Sequence, residues 1–285
     1  MADSGIGEAV YRLENGQAVK REKAAPPQSV QTRLHNAFKT SAAILAFLAI
    51  WEAAPRFGLV NLTFLPPLTE VLGAWWALLA SGDLTDHVLA SLSRSFGGLF
   101  LAIAVAIPLG LAIGWWKPVA QYLNPLLEVF RNTAALAILP VFILLLGLGE
   151  TSKIAIVFYA CAFPLLLNTI SGVRNVDPLL IKSARSMGLP PVSLFRKVIV
   201  PASIPTIFVG IRQAGASSIL VLVAAEMVGA KSGLGYLVQY TQFSFQIPQM
   251  YAGILTISAI GLVINYALVY AETRLTAWKQ TVGGE

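Results

Sequence analysis

The chain has 285 residues, of which 56% are hydrophobic and only 12% charged, and its mean hydropathy is +0.71. Soluble domains carry about 25% charged residues, so this composition excludes an ordinary soluble domain and indicates a membrane protein. The net charge of +6 lies mostly in a tail and in loops between apolar runs rather than in a patch on a soluble domain, and we therefore expect no nucleic-acid partner.

The chain begins with a polar stretch, residues 1–36, which we predict to be a mobile tail. The apolar run 38–54 that follows is short for a membrane span, for which about 20 residues are expected, and we interpret it as an uncleaved anchor. An amphipathic stretch at 68–80 contains Trp75 and Trp76. Two interpretations stay open for it: a helix along the lipid headgroups, or a helix packed outside the membrane.

Five longer apolar runs predict further spans, at residues 90–116, 123–148, 153–172, 206–228 and 250–275. Pro108, Pro140 and Pro164 lie inside three of them and predict kinks, which membrane helices tolerate. The sequence therefore predicts an all-α integral membrane protein of about six spans within residues 37–276, followed by a short tail at 277–285.

Six spans place both termini on the same side of the membrane. Most lysines and arginines lie in the tails and in the loops on that side, whereas only Arg56, Lys153 and Lys231 lie clearly in loops on the other. By the positive-inside rule, both termini and the polar segment 174–205 are predicted to be cytoplasmic, which for a bacterium means a multi-pass inner-membrane protein.

The segment 174–205 is the longest polar, basic run between two predicted spans. Asp177 and Pro178 are typical of a helix start, Gly188 suits a left-handed C-terminal cap, and Pro190 and Pro191 prevent continuation. The predicted helix has an apolar and a polar face, formed by Leu180, Ala184 and Met187 against Lys182, Arg185 and Ser186. A second short amphipathic piece completes a helix-turn-helix, with Leu194, Phe195 and Val198 opposed by Arg196 and Lys197.

Signatures of catalysis are missing from the sequence. It contains no HExxH, no GxSxG and no phosphate-binding GxxxxGK[ST] loop, so we expect this chain not to hydrolyse nucleotide itself. His35 and His87 are too far apart to share a metal, and the single Cys161 permits no cysteine cluster. We therefore predict neither a catalytic site nor a metal site.

A few polar residues lie within the predicted spans, where they are usually functional. Arg131 follows Glu128 by three residues, and this pair near the cytoplasmic end of the third span is either structural or part of a pathway. Arg212 and Gln213 either line a pathway or anchor a neighbouring helix, and Glu226 is either a solvated helix end or functional. Small residues such as Gly210 and Ala214 suit close packing within one subunit as well as a dimer interface.

The 174–205 segment resembles the cytoplasmic signature of binding-protein-dependent ABC importer permeases: EAA, three residues, Gly, nine residues, Ile, one residue, Leu-Pro. Lys182-Ser183-Ala184 occupies the EAA position, Gly188 the glycine, and Val198, Val200 and Pro201 the final element, with Lys182 departing from the family's Glu. The sequences LEVFRNTAALAILPVFILLLGLGETSKI and AAEMVGAKSGLGYLV are similar to the nitrate/sulfonate/taurine branch. The likeness covers residues 65–275.

The resemblance implies a permease subunit that imports a small anion such as an aliphatic sulfonate, taurine or nitrate. Its implied partners are a second copy of the chain, two cytoplasmic ATPase subunits that bind the ATP, and a periplasmic or lipid-anchored solute-binding protein; no cofactor is expected in this chain. The residues expected to couple to the ATPase are Asp177, Lys182, Ser183, Ala184, Arg185, Gly188, Val198, Val200 and Pro201. The alternative is a stand-alone secondary carrier or channel, which needs no docking element and is expected to have ionisable residues at mid-membrane.

Overall fold

The computed structural model describes residues 11–14, 17–20 and 30–275, with side chains from residue 42 onward. Apart from one short hairpin, the regular secondary structure of these residues is helical, so the predicted all-α class is confirmed. The chain divides into two units, residues 1–60 and 61–285, which are described separately.

The first unit contains a two-stranded hairpin and one long helix. Strand β1 (Tyr11–Glu14) pairs antiparallel with β2 (Gln17–Lys20), inside the stretch predicted to be a mobile tail. Helix α1 (Val30–Arg56) begins upstream of the predicted start at residue 38. The rest of the predicted tail and residues 277–285 lie outside the described residues.

The second unit is built from helices. Their bounds are α2 Leu68–Ser81, α3 Asp83–Trp115, α4 Lys117–Arg131, α5 Leu139–Leu146, α6 Glu150–Arg174, α7 Pro178–Ser186, α8 Pro191–Leu194, α9 Val200–Glu226, α10 Leu234–Phe243 and α11 Ile247–Leu275. Helix α3 begins earlier than the predicted residue 90, so His87, expected in a loop, lies on its second turn.

Helices α3 and α6 run parallel and touch along their length because α3 presents glycines to α6. A Cβ on Gly98 would lie 2.6 Å from the Cβ of Val157, and one on Gly110 would lie 2.7 Å from that of Thr169. Helices in lipid gain little from burying apolar surface against one another, so close backbone approach over small residues is what holds such a pair together.

Helix α9 packs antiparallel on the other side of α6 by the same means. A Cβ on Gly210 would lie 2.8 Å from that of Asn168, and the Cys161 thiol donates to the carbonyl of Ala214 at 3.3 Å. Both Cys161 and Ala214 are fully buried. The small residues of α9 thus pack within the chain, which was one of the two interpretations of the sequence.

The predicted third span, residues 123–148, is not one continuous helix. Helix α4 ends at Arg131, and a 3₁₀ turn (Ala135–Ile138) leads into α5 after a bend of 88°. The side chains of Asn132 and Thr133 bond back to carbonyls of α4, at 2.7 and 3.0 Å, and so compete with continuation of the helix. Pro140 then lies in the first turn of α5, where its missing N–H costs nothing.

Among the described residues, four helical stretches are long and apolar enough to cross a membrane. They are α3, α6, the continuous stretch Pro191–Glu226 that contains α9, and α11; the bent pair of α4 and α5 adds a fifth if it is counted as one span. The chain is therefore a multi-pass membrane protein. The exact count of six spans stays a prediction.

We predict that Gly98→Ala destabilises the protein, because the added methyl group would overlap Val157 and the Ile154 carbonyl, 2.6 and 2.9 Å away. Overpacking of this kind costs about 1–3 kcal/mol. The thermal unfolding midpoint of the detergent-purified chain measures this loss of stability. Gly261→Ala in α11 is the matched control, because nothing lies within 4 Å of its Cβ position; equal midpoints for both variants would contradict the packing.

Candidate functional site

Helix α7 is defined at both ends by the residues that the sequence indicated. The Asp177 carboxylate accepts from the backbone N–H of Leu179 at 2.8 Å and caps the helix start. At the other end Gly188 has φ +76°, and the N–H of Leu189 bonds back to the carbonyl of Ala184 at 3.2 Å. A residue with a side chain is strained in this conformation, so Gly188 allows the chain to leave α7 in this direction.

The 174–205 segment is packed against the ends of α3 and α6. Val173, Val176 and Ile199 are buried together under the side chains of Leu111, Trp115, Ile181 and Phe195. The rings of Trp115 and Phe195 have centroids 5.3 Å apart. This cluster ties the segment to the bundle at the end opposite the start of α3.

The second piece of the predicted helix-turn-helix is not separate. Helix α8 continues through a π-helical turn (Phe195–Ile199) directly into α9, so residues Pro191–Glu226 form one helical stretch. The predicted pattern of this piece holds: Leu194 is buried and Phe195 partly so, whereas Arg196 and Lys197 are exposed. Pro201 comes just after the π-helical turn and lies inside this continuous stretch.

The face of α7 that packs inward differs from the predicted one. Ala184 is buried and Ile181 half-buried, whereas Leu180 and Met187 are 51% and 78% exposed. Together with Leu179 and Val192 they form an exposed apolar surface, and the exposed cations beside it are Lys182, Arg185, Arg196 and Lys197. Among the described residues, none of these four cations makes an ion pair.

An ion cluster occupies the opposite end of the bundle, around Arg94 of α3. Its guanidinium pairs with Glu150, the first residue of α6, through Nε and through Nη2 at 2.7 Å, and with Glu226 at the end of α9 through Nη1 at 2.7 Å. Its two remaining N–H groups donate to Ser232, at 2.7 Å to the carbonyl and 2.8 Å to the hydroxyl. All five donors of Arg94 are thus satisfied, although the residue is only 2% exposed.

Glu226 is the most enclosed member of this cluster, with no exposed surface. Its carboxylate accepts from Arg94, from the Ser91 hydroxyl at 2.8 Å and from the backbone N–H of Gly235 at 2.9 Å. At the start of α10, the backbone N–H of Gly233 donates to Nδ1 of His87, and the backbone N–H of Leu234 donates to the hydroxyl oxygen of Ser91. The interpretation of Glu226 as a solvated helix end is therefore wrong.

The sequence carried a signal for this cluster that we did not use. Ser91, Arg94 and Ser95 recur at helical spacing inside an otherwise apolar run, and Ser218 and Glu226 do the same on α9. The hydroxyls of Ser95 and Ser218 lie 2.9 Å apart. Lys153, expected in an outer loop, is also buried, and its ammonium donates to the carbonyls of Leu148 and Gly149.

Two other predicted site residues, Arg131 and Gln213, border one cavity of about 370 Å³. The remaining lining residues are aromatic, polar or small: Phe130, Thr133, Ala135, Tyr159, Ala160, Phe163, Pro164, Leu167 and Asn168. The Tyr159 hydroxyl donates to the Phe130 carbonyl at 3.0 Å, which places the end of α4 level with the middle of α6. Arg131, at the end of α4, therefore lies nearer the middle of the bundle than the position at one end of the span that we expected for Glu128 and Arg131.

The fourth candidate, Arg212, lies apart from this cavity. Its guanidinium reaches Glu272 at 3.3 Å, and the pair joins the middle of α9 to the last turns of α11. The structure therefore separates the four predicted pathway residues into three places: Arg131 and Gln213 at the cavity, Arg212 against α11, and Glu226 in the ion cluster.

Comparison with known proteins identifies the class. Residues 98–277 match the family model described as the binding-protein-dependent transport system inner membrane component, and the chain belongs to this family. A probable ABC transporter permease protein of Brucella abortus is 38% identical over 216 residues, which are 76% of this chain and 86% of its own length.

Two further relatives have names that state a solute. A putative aliphatic sulfonates transport permease of Bacillus subtilis is 32% identical, covering 83% of this chain and 86% of its own. The taurine transport system permease of Escherichia coli is also 32% identical, covering 82% of this chain and 87% of its own. The chain is a permease subunit of an ABC importer, and its family implies an ATPase and a solute-binding protein as partners.

Solved structures show the same fold. In an inward-facing MetNI methionine ABC transporter, one chain is similar with a TM-score of 0.61 at 18% identity, over 68% of this chain and 96% of that chain. The fold of most of this chain is therefore the fold of that transporter chain.

We predict that Arg94→Met lowers the thermal unfolding midpoint of the purified chain far more than Arg212→Met does. Removing one partner of a buried pair leaves an unpaired carboxylate and costs about 3–5 kcal/mol. Arg212 and Glu272 are 42% and 22% exposed, and a pair of that kind contributes about 1 kcal/mol or less. Similar midpoints for the two variants would show that the Arg94 cluster does not hold the helix ends together.

Proposed function

We propose that two copies of this chain form the membrane pathway of an ATP-driven importer for a small organic or inorganic anion. The observation that carries the proposal is the 174–205 segment, which is capped, packed against α3 and continuous with α6 and α9. One cytoplasmic ATPase subunit docks on this segment of each copy, and a periplasmic or lipid-anchored protein delivers the solute. ATP binds to the ATPase, and this chain requires no cofactor.

The distribution of charge supports a cytoplasmic location for the 174–205 segment. The cations at this end of the second unit include Lys117, Arg174, Lys182, Arg185, Arg196, Lys197 and Arg274. At the opposite end, Arg94 and Lys153 are buried and hydrogen-bonded within the protein, and Lys231 is exposed. Because cytoplasmic loops of membrane proteins are enriched in Lys and Arg, we place this end and both termini in the cytoplasm of a bacterial cell.

The exposed surface of the segment defines the chemistry of its partner. Leu179, Leu180, Met187 and Val192 present exposed apolar side chains, and the same segment carries four exposed cations that make no ion pair with the described residues. Such a surface fits an apolar groove with an acidic rim. Lys182, where the family has Glu, adds to the cationic side of this surface.

The coupling follows from continuity of the helices. Arg174 ends α6, and α8 passes into α9 without a break, so a displacement of α7 is transmitted to two of the spans. Closure of the ATPase dimer on ATP would thereby convert the bundle between inward-open and outward-open arrangements, a rigid-body transition between two states.

The solute is proposed from the relatives, because those named for aliphatic sulfonates and for taurine match this chain over most of its length. Both kinds of solute carry a sulfonate group, and nitrate belongs to the same class of small oxyanions. The earlier alternative, a stand-alone carrier or channel, is disfavoured by the family to which the chain belongs.

We predict that the double variant Leu180→Asp/Met187→Asp no longer co-purifies with the cognate ATPase. Both side chains are exposed, so the substitutions leave the helices intact but place two carboxylates on the docking surface. Co-purification of the tagged importer measures the loss, and the thermal unfolding midpoint checks the fold. Phe243→Asp, 75% exposed at the other end of the bundle, is the control. Undiminished ATPase yield from the double variant would contradict the docking site.

We predict that Lys182→Glu, which restores the family's residue, leaves transport largely intact. Lys182 is exposed and makes no ion pair within the described residues, so the change alters stability by about 0.5 kcal/mol or less. Uptake of labelled taurine into proteoliposomes that contain the complete importer measures it. Complete loss of uptake would mean that the ATPase of this importer requires a cation at this position.

A further inference from the structure

We infer that the cavity beside Arg131 is a solute site within the membrane, which binds the oxyanion group of a sulfonate through Arg131 and Gln213. This inference rests on the proposed function and deepens it, because it assigns a binding site for the transported anion within this chain. Neither residue belongs to the 174–205 segment or to the ion cluster around Arg94.

The depth of the cavity is that of the middle of the spans. Gln213 is the midpoint of α9, about 20 Å from either end at 1.5 Å per residue, and Tyr159 to Asn168 form the central part of α6. The break between α4 and α5 borders the same cavity through Thr133 and Ala135. Irregular backbone at membrane depth is tolerated where it lines a cavity, and interrupted helices of this kind surround the solute in many transporters.

Arg131 differs from Arg94 and Arg212 in having no hydrogen-bond partner among the described residues, which argues that it is available for a ligand. Arg94 has five hydrogen-bond acceptors within the protein. The closest acidic oxygen to Arg131, on Glu128, is 3.7 Å away, beyond hydrogen-bond distance, and within the described residues the guanidinium has no other partner. Arg94 has all its donors bound, and Arg212 is paired with Glu272. The guanidinium of Arg131, by contrast, makes no hydrogen bond to the described residues and borders the cavity.

Gln213 offers a second donor, and its orientation is fixed by its neighbours. The Asn168 amide N–H groups donate to the Pro164 carbonyl at 2.8 Å and to the Gln213 side-chain oxygen at 2.9 Å. Since the carbonyl can only accept, the nitrogen of Asn168 faces it, and Gln213 must then present its oxygen to Asn168. The NH₂ group of Gln213 then has no hydrogen-bond partner among the described residues and can donate to an anion.

The remaining walls fit the organic part of a sulfonate. Phe163 stacks on Phe130 with centroids 6.4 Å apart and meets Tyr159 edge-on at 5.2 Å, which gives an apolar surface beside the two donors. Pro164 has no N–H to donate to the carbonyl of Ala160, one helical turn earlier in the wall. This carbonyl is an acceptor suited to the ammonium of taurine. With one cation and few fixed donors, the site is expected to bind weakly, which suits a pathway that must release its solute.

The test is direct binding to the full-length permease purified in detergent, with methanesulfonate as the probe. Saturation-transfer NMR reports weak binding through the methyl protons of the probe and requires neither ATPase nor transport. We expect a signal with the unaltered protein, at least a five-fold weaker signal with Arg131→Gln and a reduced one with Gln213→Leu. Sulfate is expected to compete for the site, whereas tetramethylammonium is not.

The matched control is Arg212→Gln, which removes the same charge from the position next to Gln213 without touching the cavity. It is expected to bind as the unaltered protein does. An absent signal with the unaltered protein, an undiminished signal with Arg131→Gln, or equal losses with the two arginine variants would each overturn the site. Co-purification of the ATPase with the unaltered chain and with Arg131→Gln is measured in parallel. If the ATPase co-purifies but the binding results go against the site, only the site is refuted. If the unaltered chain does not retain the ATPase, the proposed function itself is refuted.

Discussion

The guanidinium of Arg94 holds together four parts of the chain that are far apart in sequence: the first turns of α3, the start of α6, the end of α9 and the loop before α10. Burying an uncompensated charge in an apolar bundle costs free energy. The five acceptors around Arg94 must therefore come together at the same time for the guanidinium to be buried. This requirement fixes the relative height of α3, α6 and α9 at one end. The small residues between these helices then fix how closely they approach along the rest of their length.

The sequence predicted the helices and the local form of the 174–205 segment well, because both depend on nearby residues. Asp177 and Gly188 act within one turn of their own positions, and the apolar runs report directly on burial in lipid. The break after Arg131 was missed, since Asn132 and Thr133 end the helix by bonding back to it, a competition that hydropathy does not detect. The continuation of α8 into α9 was missed because the polar residues up to 205 were assigned to a loop and the next span to the apolar run 206–228, whereas one helical stretch covers both.

The sequence identified the polar residues of the spans but could not distinguish those in the ion cluster from those at the cavity. Glu226 and Arg131 differ little in their local surroundings, both being single charges beside apolar runs. What separates them is partners from distant elements, Ser91 and Arg94 for Glu226, and Phe130, Tyr159 and Gln213 around the cavity for Arg131. Those contacts arise only when α3, α4, α6 and α9 are assembled, so no local pattern encodes them.

The π-helical turn at Phe195–Ile199 sets the rotational phase between the part of the chain outside the bundle and the span that follows. Each residue of an α-helix turns the chain by about 100°, and a π turn takes up more than the usual number of residues before the helix resumes. Here that phase directs Leu194 inward while Arg196 and Lys197 face outward. The number of residues across this turn is therefore as strictly constrained as their chemistry, since one residue more or fewer would rotate Arg196 and Lys197 by about 100° relative to the span.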